Sequence, residues 1–379
     1  MALTFMVWIL ARWITGPDFE HVPVGPTEPP TWMKAVLIFW QAFACVGTLT
    51  LLWVYLIRPW RRERIVRTDG LLVIAAFLIW FQDPLSACFG DWFTWNTYLL
   101  NMGSWVTSVP GSMSVGQPGA QVVEPILGGP IWVFIAWAGI WFGSWVLRVA
   151  GRRWPRLSPG ALIVFILFPA MMAFDVVLEG LVAIPSGLYV YPGSHFALFP
   201  DSYTKYPLHE AAFAGATLAG LAALRFFAND RGETVVERGV GELSYGTGSK
   251  TLLRLLALIC ITQLIPLVTY NLPTGWVAGA HSATWPEAVQ SQSYFTAGLC
   301  GYGTDRVCPR NGVPLKDESI NIAPNGDLVI PADSDAAKLF GLPSGEERRI
   351  SPGVPPLAPV LQDHTEAKPF SGTLLGNTH

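Results

Sequence analysis

The sequence predicts an all-α fold: a polytopic integral membrane helix bundle of about six transmembrane helices, preceded by a short N-terminal apolar helix and followed by a largely irregular C-terminal tail. Three observations predict it. Only 13% of the 379 residues are charged and 51% are hydrophobic, with a mean hydropathy of +0.39, where soluble chains carry about 25% charged residues. Six runs stay apolar over the roughly 20 residues that a lipid-spanning helix needs to satisfy its own backbone. The loops between them alternate between arginine-rich and arginine-poor, as the positive-inside rule requires. A net charge of −3 with scattered cations excludes nucleic acid as a partner. Membrane lipids and a lipophilic small molecule remain.

Residues 1–33 form an N-terminal apolar or interfacial segment. Its first fifteen residues are short for a span and interrupted by Arg12, which fits an interfacial helix or a partial seventh span. A cleaved signal peptide would begin with a basic stretch, which is absent here. The transmembrane domain covers 34–272, with spans at 34–57, 70–89, 131–149, 160–182, 208–228 and 251–272. Arg58, Arg61, Arg62, Arg64 and Arg67 follow the first span; Arg148, Arg152, Arg153 and Arg156 follow the third; Arg225, Arg231, Arg238, Lys250 and Arg254 follow the fifth. The 83–130 connection has neither lysine nor arginine, and 185–207 has only Lys205. The odd connections are therefore expected on the cytoplasmic side of the cell membrane, and both termini outside.

The last segment, 273–379, is rich in proline, glycine, serine and aspartate and has little apolar periodicity. That composition predicts an extracytoplasmic, partly disordered tail that adds little to a core. Its Cys300 and Cys308 face an oxidising compartment, where they can pair into a small loop or stay as two thiols. Cys45, Cys88 and Cys260, in or at the ends of spans, read as small packing residues.

An ionisable group among lipid tails costs about 3 kcal/mol on insertion scales, so each one is a candidate for function. Asp83 precedes Pro84 near the outer end of the second span. Asp175 and Glu179 stand four residues apart on the fourth, hence on one helical face. His209 and Glu210 open the fifth, directly after Pro207. At about 1.5 Å per residue from the cytoplasmic ends, Asp83 and Asp175 lie at roughly 20 and 22 Å and Glu179 at roughly 28 Å. All five converge on the outer third of the membrane. Trp92, Trp95, Asn96, Asn101, Tyr189, Tyr191, Tyr206, Tyr270 and Asn271 fall at the same level, where tyrosines and tryptophans also form ordinary interfacial belts. Helix ends routinely carry charges such as Glu210. The Asp175 and Glu179 pair is different, because two acids on one face repel unless one is protonated or paired, and neither has a lysine or arginine at its depth.

Motifs for other chemistries fail. The segment from Ser244 to Thr251 has glycines and a lysine but not the spacing of a phosphate loop, and zinc-protease, serine-elbow and dinucleotide patterns are absent. A carboxyl in an apolar pocket, by contrast, tends to keep its proton and serve as a general acid. Neighbouring carboxylates and aromatic faces can stabilise a developing cation and accept a proton afterwards. Such a set suits dehydration, ketal formation or cyclisation of an olefin.

The stretches Phe174-Asp175-Val176-Val177-Leu178-Glu179, Pro185, Tyr189-Val190-Tyr191, Tyr206-Pro207-Leu208-His209-Glu210 and Arg225-Phe226-Phe227 resemble the AveC-like spirocyclases, membrane proteins of actinobacterial polyketide pathways. The resemblance is densest over 160–240 and implies spiroketal formation from a dihydroxy-ketone, sometimes with dehydration, without metal, nucleotide or other cofactor. The long tail with Cys300 and Cys308 departs from that pattern. Pro207-Leu208-His209-Glu210 is also similar to the Pro-Leu-Glu-Glu element of membrane lycopene cyclases, with histidine at the first glutamate.

The leading expectation is thus a cofactor-free membrane cyclase acting on a lipophilic substrate that enters sideways from the outer leaflet. Asp175 or Glu179 would protonate the leaving hydroxyl or the carbonyl, His209 with Glu210 would take the proton of the attacking hydroxyl, and Asp83 would orient or stabilise charge. Tyr189, Tyr191, Trp92, Trp95, Tyr206 and Asn271 would bind substrate, with 103–130 as a lid. The alternatives are a proton-coupled lipid or small-molecule carrier, for which the cytoplasmic half offers no polar path, and a non-catalytic scaffold recruiting a partner through the tail.

Overall fold

The computed structural model describes residues 2–83, 93–110, 125–278, 283–304, 306–309, 321–323, 327–332, 337–338 and 340–351. Its helices are α1 (Ala2–Ile14), α2 (Thr31–Glu63), α3 (Thr68–Gln82), α4 (Gly128–Arg153), α5 (Pro159–Ala183), α6 (Leu208–Phe226) and α7 (Thr247–Val277). Among the described residues four helices, α2, α4, α5 and α7, are long and apolar enough to cross a membrane, at 33, 26, 25 and 31 residues. The other two expected spans are the helices α3 and α6. The described part of the second ends at Asp83, short of residue 89, and α6 is alanine-rich and carries His209, Glu210 and Arg225, which lowers its hydropathy.

Helix α6 packs on α4 and α5, α3 on α4 and α7, and α2 on α4. Small residues let these helices close without a hydrophobic force between them. A Cβ at Gly215 of α6 would stand 2.9 Å from the Met172 backbone nitrogen of α5, and one at Gly143 of α4 would meet the Met171 and Ala222 side chains.

Among the described residues four stretches have the wider π-helical turn: Leu52–Ile57, Ile163–Leu167, Val176–Ala183 and Leu267–Asn271. Each ends two residues before a proline, namely Pro59, Pro169, Pro185 and Pro273. Proline has no N–H to give and its ring clashes with the carbonyl four residues back. Widening the preceding turn relieves the clash and re-pairs the freed carbonyls five residues on, as in Ile184 N to Glu179 O at 3.0 Å and Leu188 N to Ala183 O at 3.3 Å.

Loops and short strands close one end of the bundle. Antiparallel β1 (Thr94–Trp95) and β2 (Tyr189–Val190) pair Thr94 with Val190, and β3 (Ala197–Leu198) pairs with β4 (Tyr206–Pro207). The tail corrects the expectation drawn from its composition. Trp285, Val289, Tyr294, Phe295, Cys300 and Cys308 are buried in one core with Met33, Leu37 and Trp40 of α2 and with Phe93, Trp95, Leu188 and Tyr206. Backbone bonds hold this segment down, with Thr97 N to Tyr294 O at 2.9 Å and Thr94 Oγ1 to Phe295 O at 2.6 Å. Cys300 and Cys308 form a disulfide with their Cα atoms 4.9 Å apart. Farther on, β5 (Asn321–Ile322), β6 (Leu328–Ile330) and β7 (Arg348–Ile350) make a small antiparallel sheet.

Helix α1 has 13 residues, about 20 Å at the helical rise and too short to span. It buries Met6, Ile9 and Trp13 against Phe81, Trp105 and Val106. At the opposite end of the bundle, Asp69 pairs with Arg225, and buried Glu237 accepts from Arg254 at 2.9 Å and from Thr68 at 3.0 Å. Cys45 is half-buried and Cys260 exposed, so Cys260 does not pack inside; Cys88 lies outside the described residues.

Candidate functional site

Four of the five acidic and histidine candidates share one cavity. Asp83 comes from the end of α3, Asp175 and Glu179 from α5, and Glu210 from the first turn of α6. The cavity is narrow, with about 60 Å³ open to the centre of a water-sized sphere. Asp175 and Glu210 are each only 1% exposed. Local sequence explains the convergence. Glu179 lies in the wide turn before Pro185, which keeps it beside Asp175 on the inward face. The β3–β4 hairpin delivers Tyr206 and Pro207 to the start of α6, with Pro207 extended, so Glu210 enters one turn below the cap.

Each of three acids accepts a hydrogen bond from an aromatic side chain. Trp132 Nε1 donates to Asp83, Tyr206 OH to Asp175 at 2.8 Å, and Tyr191 OH to Glu179 at 3.0 Å. Glu210 differs. Tyr191 and Tyr270 face it, yet neither of its carboxyl oxygens meets a donor at hydrogen-bond geometry among the described residues. Glu179 is close enough to Asp83, Asp175 and Glu210 to repel each of them, and no lysine, arginine or histidine is among the described lining residues. Four like charges without a cation cannot coexist in such a space, so the chamber must retain protons.

The phenols set the direction of those bonds. Burial, then the Glu179 charge, pushes the Tyr189 and Tyr191 hydroxyls well above the ordinary tyrosine range; burial, then Asp175, raises Tyr206. All three stay protonated and donate. Above the bundle, burial brings the Lys205 ammonium down to about 8, against the pull of Asp201, while its Nζ donates to Pro192 O at 2.9 Å.

Trp95, Tyr189 and Tyr191 line the cavity, and Tyr206 adjoins it through Asp175. Asn271 does not line it: its amide donates to Gln82 at 2.6 Å, and its neighbour Tyr270 takes the wall position. Trp92 lies outside the described residues. His209 is not among the cavity's described lining residues. Successive helical residues point about 100° apart, so with Glu210 facing inward His209 packs on Phe213, rings 5.6 Å apart, beside His195. The proposed lid is also corrected over its described parts: Trp105 and Val106 pack with α1, and no described residue of 103–130 lines the cavity; residues 111–124 lie outside the described residues. Sequence reasoning missed Trp132, Phe93 and Thr217 on the wall. Among 17 tryptophans, nothing in an apolar span marks Trp132 except its level opposite Asp83.

No curated protein and no solved structure matches the chain. The family described as spirocyclase AveC-like matches residues 60–295, an interval that includes every cavity residue named above and stops short of α1 and the last sheet. With more than half its length matched, and with that length holding the four-acid chamber, the chain belongs to the AveC-like spirocyclase family.

Proposed function

We propose that the chain is a membrane cyclase that closes a spiroketal, or carries out a related dehydration, using its own carboxyls as the acid and base on a lipophilic polyketide or isoprenoid-like substrate. The observation that carries this reading is the meeting of four acids from three helices in one aromatic-walled cavity. The family supports a cyclase role, and the geometry supports a division of labour among the acids that differs from the one expected from sequence. Asp83, Asp175 and Glu179 each accept from an indole or phenol, which fixes their orientation on the wall and suits them to stabilise positive charge as it develops. Glu210, which Tyr191 and Tyr270 face without either carboxyl oxygen reaching a donor at hydrogen-bond geometry, takes the part of the proton donor in this reading.

For a dihydroxy-ketone the steps balance as follows. Glu210 protonates the ketone oxygen while one substrate hydroxyl adds to the carbon and gives its proton to Glu179, forming a hemiketal. The proton moves to the hemiketal hydroxyl, which leaves as water and generates an oxocarbenium ion held by the carboxylates. The second hydroxyl adds and its proton returns to Glu210. One water is lost and no redox change occurs. The site lies toward the outer side in a six-span arrangement with both termini outside, and the packed apolar residues beyond Leu218, such as Leu221, Leu258 and Ile259, support a chamber closed toward the arginine-rich side. In vesicles holding the full chain, a dihydroxy-ketone should lose the mass of one water. Unchanged turnover in both Asp175→Asn and Glu179→Gln sinks the reading.

A further inference from the structure

A ring cluster forms the outer wall of the acid chamber. Phe93, Trp95, Tyr189 and Tyr191 all line it, with neighbouring centroids at 5.1 Å (Trp95 to Tyr189), 5.7 Å (Tyr189 to Tyr191), 5.8 Å (Phe93 to Trp95) and 5.9 Å (Phe93 to Tyr191). All four pairs are edge-on or tilted, the preferred geometry of packed rings. Trp132 and Tyr270 add aromatic surface on the helix side. Glu210, 1% exposed, lines the same cavity beside Tyr191, with neither oxygen at hydrogen-bond geometry to a donor among the described residues. A quaternary ammonium has no N–H, so what the acids of this chamber offer it is negative charge rather than a hydrogen-bond acceptor.

We infer that the chamber is a binding site for compact lipophilic ammonium ions, which occupy the place of the cationic intermediate in the reaction proposed above. The inference rests on that reading for its role in catalysis, but the recognition stands on the wall chemistry alone. A quaternary or tertiary ammonium is weakly hydrated and gains from ring faces, and it supplies the positive charge that no described lining side chain provides. An anion meets repulsion from whichever acids in the chamber are ionised and finds no cation among the described lining residues. An uncharged molecule of the same shape gains burial only. A neutral hydrocarbon, an anion and an ammonium of one shape should therefore separate sharply, whereas a purely greasy pocket treats the hydrocarbon best.

The test uses the full chain in nanodiscs and three small probes of similar outline: phenyltrimethylammonium, its carbon isostere tert-butylbenzene, and benzenesulfonate. Binding is read by quenching and shift of tryptophan emission, with Trp95 and Trp132 at the wall, and by thermal midpoint. The expected result is that the ammonium binds at least about tenfold tighter than tert-butylbenzene, the scale of a desolvated cation–π contact joined to a carboxylate, and that benzenesulfonate does not bind. In Glu179→Gln, which removes a carboxylate that the reaction uses as base, the ammonium preference falls severalfold while tert-butylbenzene is unaffected. Equal binding of the ammonium and its isostere by the parent chain overturns the inference, whether or not the variant folds, as does a preference for the sulfonate. The cyclase reading fails separately. If the ammonium binds as stated and the dihydroxy-ketone never loses water, recognition stands and catalysis does not; if turnover depends on the acids and the isosteres bind alike, the reverse holds.

Discussion

Tyr206 and Glu210 lie four residues apart in sequence and end on different sides of the proton inventory. Tyr206 donates to Asp175 at 2.8 Å and holds it in place, so Tyr206→Phe should lower kcat by about tenfold with little change in KM; a ketal-forming assay with substrate titration checks it. Trp132→Phe removes the donor to Asp83 and should act in the same direction. His209→Ala should retain most activity, because its ring packs on Phe213 away from the acids; a loss of a hundredfold there would return the histidine to the site. Lys205 supplies the pH dependence. Burial lowers its ammonium from the ordinary 10.5 to about 8, so between about pH 8 and 10.5 the unfolded chain binds more protons than the folded one, and stability rises with pH through that window. Thermal midpoints of the parent should climb there relative to Lys205→Met, whose profile lacks this slope.

At the level of helices, the four prolines set the site as much as the acids do. The wide turn before Pro185 carries Glu179, and the one before Pro273 carries Tyr270. Replacing either proline by alanine restores the missing N–H and removes the clash, which favours an ordinary α-turn. The residues upstream should then rotate, taking Glu179 or Tyr270 off the wall. Pro185→Ala and Pro273→Ala should therefore lose most turnover while keeping their helical circular dichroism; full activity in both would contradict the link between wide turns and the site. Gly215→Val tests the approach of α6 to α5, since its Cβ meets Met172 backbone, and should cost about 1–3 kcal/mol, read as a drop in the detergent-resistance midpoint. The helices were legible from apolar runs, and the convergence of Asp83, Asp175, Glu179 and Glu210 from counting residues along them. The turning of His209 away and the widened turns were not, because periodicity assumes a uniform 3.6-residue helix. The prolines that cause the departure were in plain view.

At the scale of the whole molecule, the described segment from Trp285 to Cys308 of the tail is part of the cap. Its apolar residues, among them Trp285, Val289 and Phe295, lie in short turns without a repeating period, so composition alone read them as an appendage; the core that they join with α2 and the 93–101 loop exists only in three dimensions. Cys300→Ser or Cys308→Ser removes the disulfide inside that cap and should lower stability by about 2 kcal/mol, seen as a lower unfolding midpoint that reducing agent reproduces in the parent. The orientation with both termini outside rests on the arginine alternation, and cysteine-labelling of tags at each end from the outside of intact cells checks it. The most direct test of the chamber follows the proton and the water together. A dihydroxy-ketone with heavy oxygen at the ketone is given to the reconstituted full chain and to Glu210→Gln, and product mass and rate are recorded. A proton-sharing chamber predicts that the parent expels the heavy oxygen as water and that Glu210→Gln is slower by at least about a hundredfold; parent-like turnover in Glu210→Gln, or heavy oxygen kept in the product, contradicts it.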